Sequence, residues 1–314
     1  MKGNKFLILN ERRKINKNLI IFLKERHQKK EIYFQLIIIS LIFTVLMQIN
    51  GESKISLVIK GEGLQKIIHD KYNSSLSKVY INSEKQNDIQ NIYNFTHKEN
   101  NVTLEFNYIT SCCDNMFKDL ENITQIDLSQ FNNYNNTNME NMFFNCLNLN
   151  SINFGDFITK EVTNMRSVFV NCISLESLNL GKFDTNKVIS MENMFWSCRS
   201  LRTLNLSSFV ATSLISMKNM FYYCDNLQSI EMPNFITSKV NDMSKLFHGC
   251  WNLISIDLSS FDTSSVTTME YMFSWCGKIQ KLSLSNFNTS NVRTMHSMFE
   301  FCVQLNSIDL YIKF

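Results

Sequence analysis

Ala211 and Pro233 are the only alanine and the only proline in this chain of 314 residues. The eight glycines are scattered, and no Gly-rich phosphate loop occurs, so a nucleotide cradle is not expected. No HExxH motif, no CxxC pair and no recognisable Ser-His-Asp arrangement is present. The commonest zinc and hydrolase signatures are therefore missing, and neither a catalytic set nor a metal or cofactor is expected. Residues 111–314 carry fourteen basic and eighteen acidic side chains with no basic stripe, which argues against a nucleic-acid partner.

Basic charge concentrates instead at the N-terminus, where residues 1–31 hold ten Lys/Arg against three Glu. The uncharged run "IYFQLIIISLIFTVLMQI" follows at 32–49. As a helix it spans roughly 27 Å, enough for a hydrocarbon core. The flanking charge favours a signal anchor, with a cytosolic tail over 1–31 and the remainder outside the cell (type II). A cleaved signal peptide and secretion is the alternative, although no A-x-A-like site follows. A buried helix of a cytosolic domain is the third possibility. No cysteine lies near the run to take a lipid. Seven N-x-S/T sequons occur, about what this Asn-rich composition produces by chance, so they permit glycosylation without arguing for export.

The dominant feature is a 26-residue clock. Cys146, Cys172, Cys198, Cys224, Cys250, Cys276 and Cys302 recur at that step without insertion. Phenylalanine keeps the same step from Phe117 to Phe299, and again from Phe131 to Phe287. Each unit has two halves. In "VTNMRSVFVNC" (162–172) the apolar residues fall at offsets 0, 3, 6, 7 and 10, one face of a short helix or helical turn. In "SLESLNLGKF" (174–183) Leu178 and Leu180 alternate with polar residues, the period of a half-buried strand. Connectors such as "FDTSSV" carry Ser and Thr able to cap the next turn. A lone unit cannot bury its apolar face, whereas stacked units can.

The expected fold is therefore an α/β repeat solenoid over 111–314, with about eight units, a parallel β-sheet on one side and short helical turns on the other. Residues 51–110, with strand-like "ISLVIKGEG" and "NVTLEFNYI", are expected to form a β-rich cap over its N-terminal edge. The structural core is assigned to Phe195, Cys198, Leu201, Leu204, Leu206, Phe209, Met217, Met220, Phe221 and Cys224.

The frame L-x-x-L-x-L-x-x-F-D-T-x-x-V-x-x-M-x-x-M-F-x-x-C, seen whole from Leu253 to Cys276, resembles the BspA-like leucine-rich repeats in their DUF285-type 26-residue form. The resemblance covers about residues 111–314. It implies a leucine-rich-repeat-like solenoid on a cell surface, acting by adhesion or recognition rather than catalysis. Leu120, Cys113, Asn136 and Leu246 depart from the frame, standing for Cys, Met, Val and Met.

Two surfaces are candidates for binding. Around each Cys the chain varies, and there sit Trp196, Tyr222, Tyr223, Trp251, Trp275 and Phe301. Pointing outward, they form an aromatic strip for a protein or glycan partner; pointing inward, they only shield the turn. The other surface is the outward strand face, with Ser177, Thr203, Ser229 and Ser255 beside Asn153, Asn179, Asn205, Glu231 and Asp257. A solvated polar ladder is the plainer account of it. The cysteine column fits a small, tight core position better than rung-to-rung disulfides or metal binding. The expected function is non-enzymatic recognition at the cell surface, with the membrane engaged through 32–49. The alternative is an intracellular scaffold for protein–protein interaction.

Overall fold

A computed structural model describes residues 53–107 and 111–310. The basic tail, the 32–49 run and residues 311–314 lie outside the described residues. Among those described, no helix is long and apolar enough to cross a membrane.

The chain begins with antiparallel strands. β1 (Ser53–Lys60) buries Ile55, Leu57 and Ile59 and turns Ser56 and Lys60 to solvent. This is the alternation that one-sided burial demands. β2 (Gly63–Lys66) pairs with β5 (Ile92–Phe95). A 3-10 turn over Asp70–Ser75 leads into β3 (Leu76–Ile81), which pairs with β4 (Glu84–Lys85) and β6 (Glu99–Phe106). β6 also pairs with β1. The other edge of β1 receives β7 (Ile123–Asp127), the first strand of the 26-residue units. β8 (Ser151–Asn153) then adds in parallel, giving the order β4-β3-β6-β1-β7-β8.

Beyond β8 the units form a β-rich repeat fold that keeps the 26-residue register. β9 (Thr203–Asn205) pairs in parallel with β10 (Ser229–Glu231), and β11 (Lys281–Leu284) with β12 (Ser307–Leu310). The strand side is thus three separate parallel pairs, counting β7–β8, rather than one continuous sheet. At the first break Phe154 takes the place that Leu180 and Leu206 hold in later units. Its ring packs edge-on against Phe183 with centroids 4.9 Å apart.

The continuous ladder runs along the other side. Parallel bridges link Asn138, Asn164, Ser190, Ser216, Asp242, Thr268 and Thr294 in succession. At each step alternate amides donate across to the next unit. Met165, Ser167, Phe169 and Asn171 donate to the carbonyls of Ser190, Glu192, Met194 and Trp196 at 2.9–3.0 Å.

This side is where the expected helical turns do not appear. Within a unit, Met194 N–H reaches Met191 O, Cys198 reaches Phe195 and Leu201 reaches Cys198, all three-residue closures. Asn193 and Ser197 have φ of 57° and 59°, which an α-helix forbids and a type II turn requires at its third residue. Consecutive turns place Met191, Met194, Phe195 and Cys198 inward at offsets 0, 3, 4 and 7, the same offsets a helix face shows. Apolar spacing alone therefore cannot separate the two. The backbone decides for turns because the amides freed from a helix are satisfied by the neighbouring unit.

The core follows the columns. All ten residues assigned to it are buried. Phe117, Phe143, Phe169, Phe195, Phe221, Phe247 and Phe273 stack with centroids 5.4–5.6 Å apart. On the connector side the Phe131-to-Phe261 column is spaced at 6.2–6.4 Å. The units therefore stand closer together where the turn ladder binds them.

Candidate functional site

The cysteine column is structural in its geometry. Each thiol from Cys146 to Cys302 donates to the carbonyl of a phenylalanine in the preceding unit, as Cys198 does to Phe169 at 3.1 Å and Cys224 to Phe195 at 3.0 Å. None of these seven is in a disulfide. Burial pushes Cys146, Cys172, Cys198, Cys224, Cys250 and Cys276 well above the ordinary thiol range, the opposite of an activated nucleophile. Among the described residues no three His, Cys, Asp or Glu side chains come close enough to hold a metal ion.

The outward strand face is also occupied by structural work. Asp127, Asn153, Asn179, Asn205 and Asp257 each accept the backbone N–H two residues on, closing the turn after the strand at 2.8–3.1 Å. Glu231 is the exception, and two residues on stands Pro233, which has no N–H to give. Its carboxylate instead accepts from Asn205 Nδ2 at 2.8 Å. Ser177, Thr203, Ser229 and Ser255 point to solvent.

The aromatic residues are different. Tyr223, Trp251, Trp275 and Phe301 are exposed by 38%, 39%, 42% and 51%, while Trp196 and Tyr222 are half-buried. They form two clusters. Tyr222 lies edge-on to Trp196 at 4.7 Å and to Tyr223 at 4.5 Å, and stacks on His248 at 4.8 Å. His248 leads to Tyr271 at 6.1 Å, and Tyr271 to His296 at 5.3 Å. Lys245 Nζ sits over both Tyr222 and Tyr271, 5.9 and 5.5 Å from their centroids. In the second cluster Trp275 joins Trp251 at 6.4 Å and Phe301 at 4.4 Å.

Reasoning from sequence missed Lys245, His248, Tyr271 and His296. A signal was available: Tyr271 and Lys245 share the register of Asn193 and Asn219, a position whose φ is positive in every one of these units.

Two backbone features show how the rings are seated. A Cβ on Gly249 would come within 2.4 Å of the Tyr223 ring, and one on Gly277 within 2.7 Å of the Trp251 ring. Each ring thus lies against a glycine one unit later, where a side chain would collide with it. Second, Tyr223, Tyr271, Trp275 and Phe301 have φ of 54–62°. In the early units the register of Tyr223, Trp275 and Phe301 holds Asp119, Asn145, Asn171 and Ser197, small polar residues better suited to that conformation. A bulky side chain there costs on the order of 1–2 kcal/mol. From residue 223 onward the register reads Tyr223, Gly249, Trp275 and Phe301, so three of its four members are aromatics held against backbone preference.

His248 is buried, and its Nδ1 has no hydrogen-bond partner. Burial, reinforced by Lys245, holds it below the ordinary histidine range although Glu300 pulls the other way. It is a neutral aromatic plate at neutral pH.

No curated protein matches the chain, and no solved structure matches it. The family described as "Mycoplasma protein of unknown function, DUF285" matches over residues 111–232 and 215–311. These stretches overlap and together take in the turn ladder, the cysteine column and both aromatic clusters. With more than half of its length matched, the chain belongs to the DUF285 family.

Proposed function

We propose that this chain is a non-enzymatic recognition protein, a BspA-like leucine-rich-repeat solenoid that binds a protein or carbohydrate partner at the cell surface. Residues 51–110 act as its N-terminal cap, and 32–49 anchor it with the N-terminus in the cytosol. The observation that carries the reading is the aromatic register. Tyr223, Trp275 and Phe301 stand at positive φ, exposed, where small polar residues stand in earlier units. Strain of that kind accumulates where a side chain is needed for contact rather than for folding. Exposed tryptophan and tyrosine supply large, rigid area to an interface and flat faces to a sugar ring.

The test is the double variant Trp251→Ala/Trp275→Ala. Binding to a glycan array or to intact cells is expected to fall at least tenfold, with the thermal midpoint held within a few degrees. Undiminished binding by a folded double variant sinks the reading.

An intracellular scaffold of the same fold is the second reading, favoured by the seven unbridged thiols, which suit a reducing compartment. An epitope tag after Phe314 separates the two. Staining of intact cells supports the surface, and staining only after permeabilisation supports the scaffold.

A further inference from the structure

The strand side carries a cavity at its first break. Where β7 meets β8, Leu128 N–H donates to Asn153 O at 2.8 Å, and where β9 meets β10, Leu206 N–H donates to Glu231 O at 2.8 Å. Between these pairs the equivalent bond from Phe154 to Asn179 is not made. Among the described residues Phe154 N–H has no acceptor and Asn179 O no donor. Phe154 is buried, and an orphaned N–H on a buried residue calls for a partner that the chain does not supply.

Both residues line a cavity of about 360 Å³, within the size range of small-ligand sites. Its floor is aromatic: the Phe154 ring stands edge-on to Phe157 at 5.7 Å and to Phe183 at 4.9 Å. The register of Phe154 holds Leu or Met in every other unit, so this floor is not repeated along the chain. Gly155 adds a wall without a side chain; its φ is 53°, and a Cβ there would come within 2.5 Å of Ser129 Cα. The rim is polar. Asn179 Oδ1 accepts Gly181 N–H, while its Nδ2 has no acceptor among the described residues. Lys182 pairs with Asp156, which offsets its charge. A second cavity of about 490 Å³ shares Ile152 and Asn153 with the first and continues across β8, β7, β1 and β6, past Ser151, Gln125, Asn101 and Thr103.

The two orphaned backbone groups match a ligand with an acceptor and a donor side by side, which is an amide. The ring floor matches an apolar face. Asn179 Nδ2 and Lys182 Nζ match hydroxyl oxygens, and with Lys182 offset there is no net charge to draw an anion. A sugar with an acetamido group combines all three. A peptide amide meets the backbone pair equally but brings few oxygens to the rim.

We propose that this cavity binds an N-acetylhexosamine residue of a glycan. The acetamido C=O accepts from Phe154 N–H, its N–H donates to Asn179 O, and the rest of the glycan runs over the second cavity. The site shares no residue with the aromatic clusters and does not rest on their role.

The test titrates the full chain with the methyl glycosides of N-acetylglucosamine and N-acetylgalactosamine, with methyl glucoside and methyl galactoside, and with acetyl-dialanine methylamide as the peptide probe. At least one acetamido sugar is expected to bind at least tenfold more tightly than its hydroxyl counterpart and to slow hydrogen exchange at the Phe154 amide. Phe154→Leu gives the unit the residue that others carry, and should fold normally and bind at least tenfold more weakly. Lys182→Ala, at an exposed position, should weaken binding about threefold. Trp251→Ala/Trp275→Ala should leave it unchanged. Loss in that double variant with Phe154→Leu intact would move the sugar to the aromatic clusters and overturn the proposal. So would binding of neither acetamido sugar, equal affinity for the hydroxyl counterparts, unchanged exchange at Phe154, or tighter binding of the peptide probe.

Discussion

A single thiol illustrates how the residue scale works. Cys224 is small enough for the gap between stacked turns, and its S–H reaches a carbonyl that also accepts the Cys198 amide. Cys224→Ser keeps a donor in nearly the same place and is expected to cost about 1 kcal/mol. Cys224→Val removes the donor and adds volume, and is expected to cost about 2–3 kcal/mol. Urea unfolding of both variants checks the order. The aromatics at positive φ behave oppositely. Trp275→Asn relieves backbone strain and gives up ring contacts with Trp251 and Phe301, so stability should change by no more than about 1 kcal/mol. A loss above 3 kcal/mol would place Trp275 in the core and remove it from the binding surface.

At the scale of the element, the connectors matter more than their composition suggests. Thr159, Thr237 and Thr263 are buried, and each hydroxyl both donates to and accepts from the backbone 25 residues on. Their role is to tie unit to unit, not to cap a helix. Thr237→Val strands Asp262 N–H and Asp262 O together, and a loss of about 2–3 kcal/mol is expected by denaturant titration. Ala211 interrupts this column with φ of 55°, and there Val210 O takes Ile236 N–H directly. Within the stacked columns, Phe221→Ala removes a ring held between Phe195 and Phe247 at 5.4–5.5 Å, for an expected cost of about 3–5 kcal/mol.

For the whole molecule, acid should act in two stages. His248 has a folded pKa below its ordinary value of about 6.5, held down by burial and Lys245. Its contribution is present above that value and fades as pH falls through the lower folded pKa. Asp257 and Asp262 are held below about 3.8 by hydrogen bonds from Ser259 and Ser264. For Asp127, burial opposes the shift, but bonds from Ser129 and Asn153 outweigh it. Glu105, likewise raised by burial but paired with Lys78 and Lys54, ends below its ordinary range. Stability from these carboxylates is present above about pH 4 and fades below it. Thermal midpoints followed from pH 8 to pH 3 should show an early decline starting near pH 6.5 that His248→Phe removes, and a later one that it leaves. A single late decline in the parent would mean that His248 is not held neutral by its surroundings.

The sequence by itself determined the period, the unit boundaries and the buried columns, because apolar side chains that recur every 26 residues have nowhere to go but against one another. It also located six of the aromatics, since they stand at the positions around each Cys that vary from unit to unit. Three matters were decided only by tertiary structure. Turns replaced helices because the competing hydrogen bonds lie in the next unit, 25 residues away, where local spacing carries no trace of them. The strand side broke into separate parallel pairs although the alternating pattern recurs in every unit, because strand pairing depends on how neighbouring units meet. And His248, Tyr271 and Lys245 joined the aromatic surface because stacking sets neighbouring registers side by side, a proximity that exists only once the units are piled up.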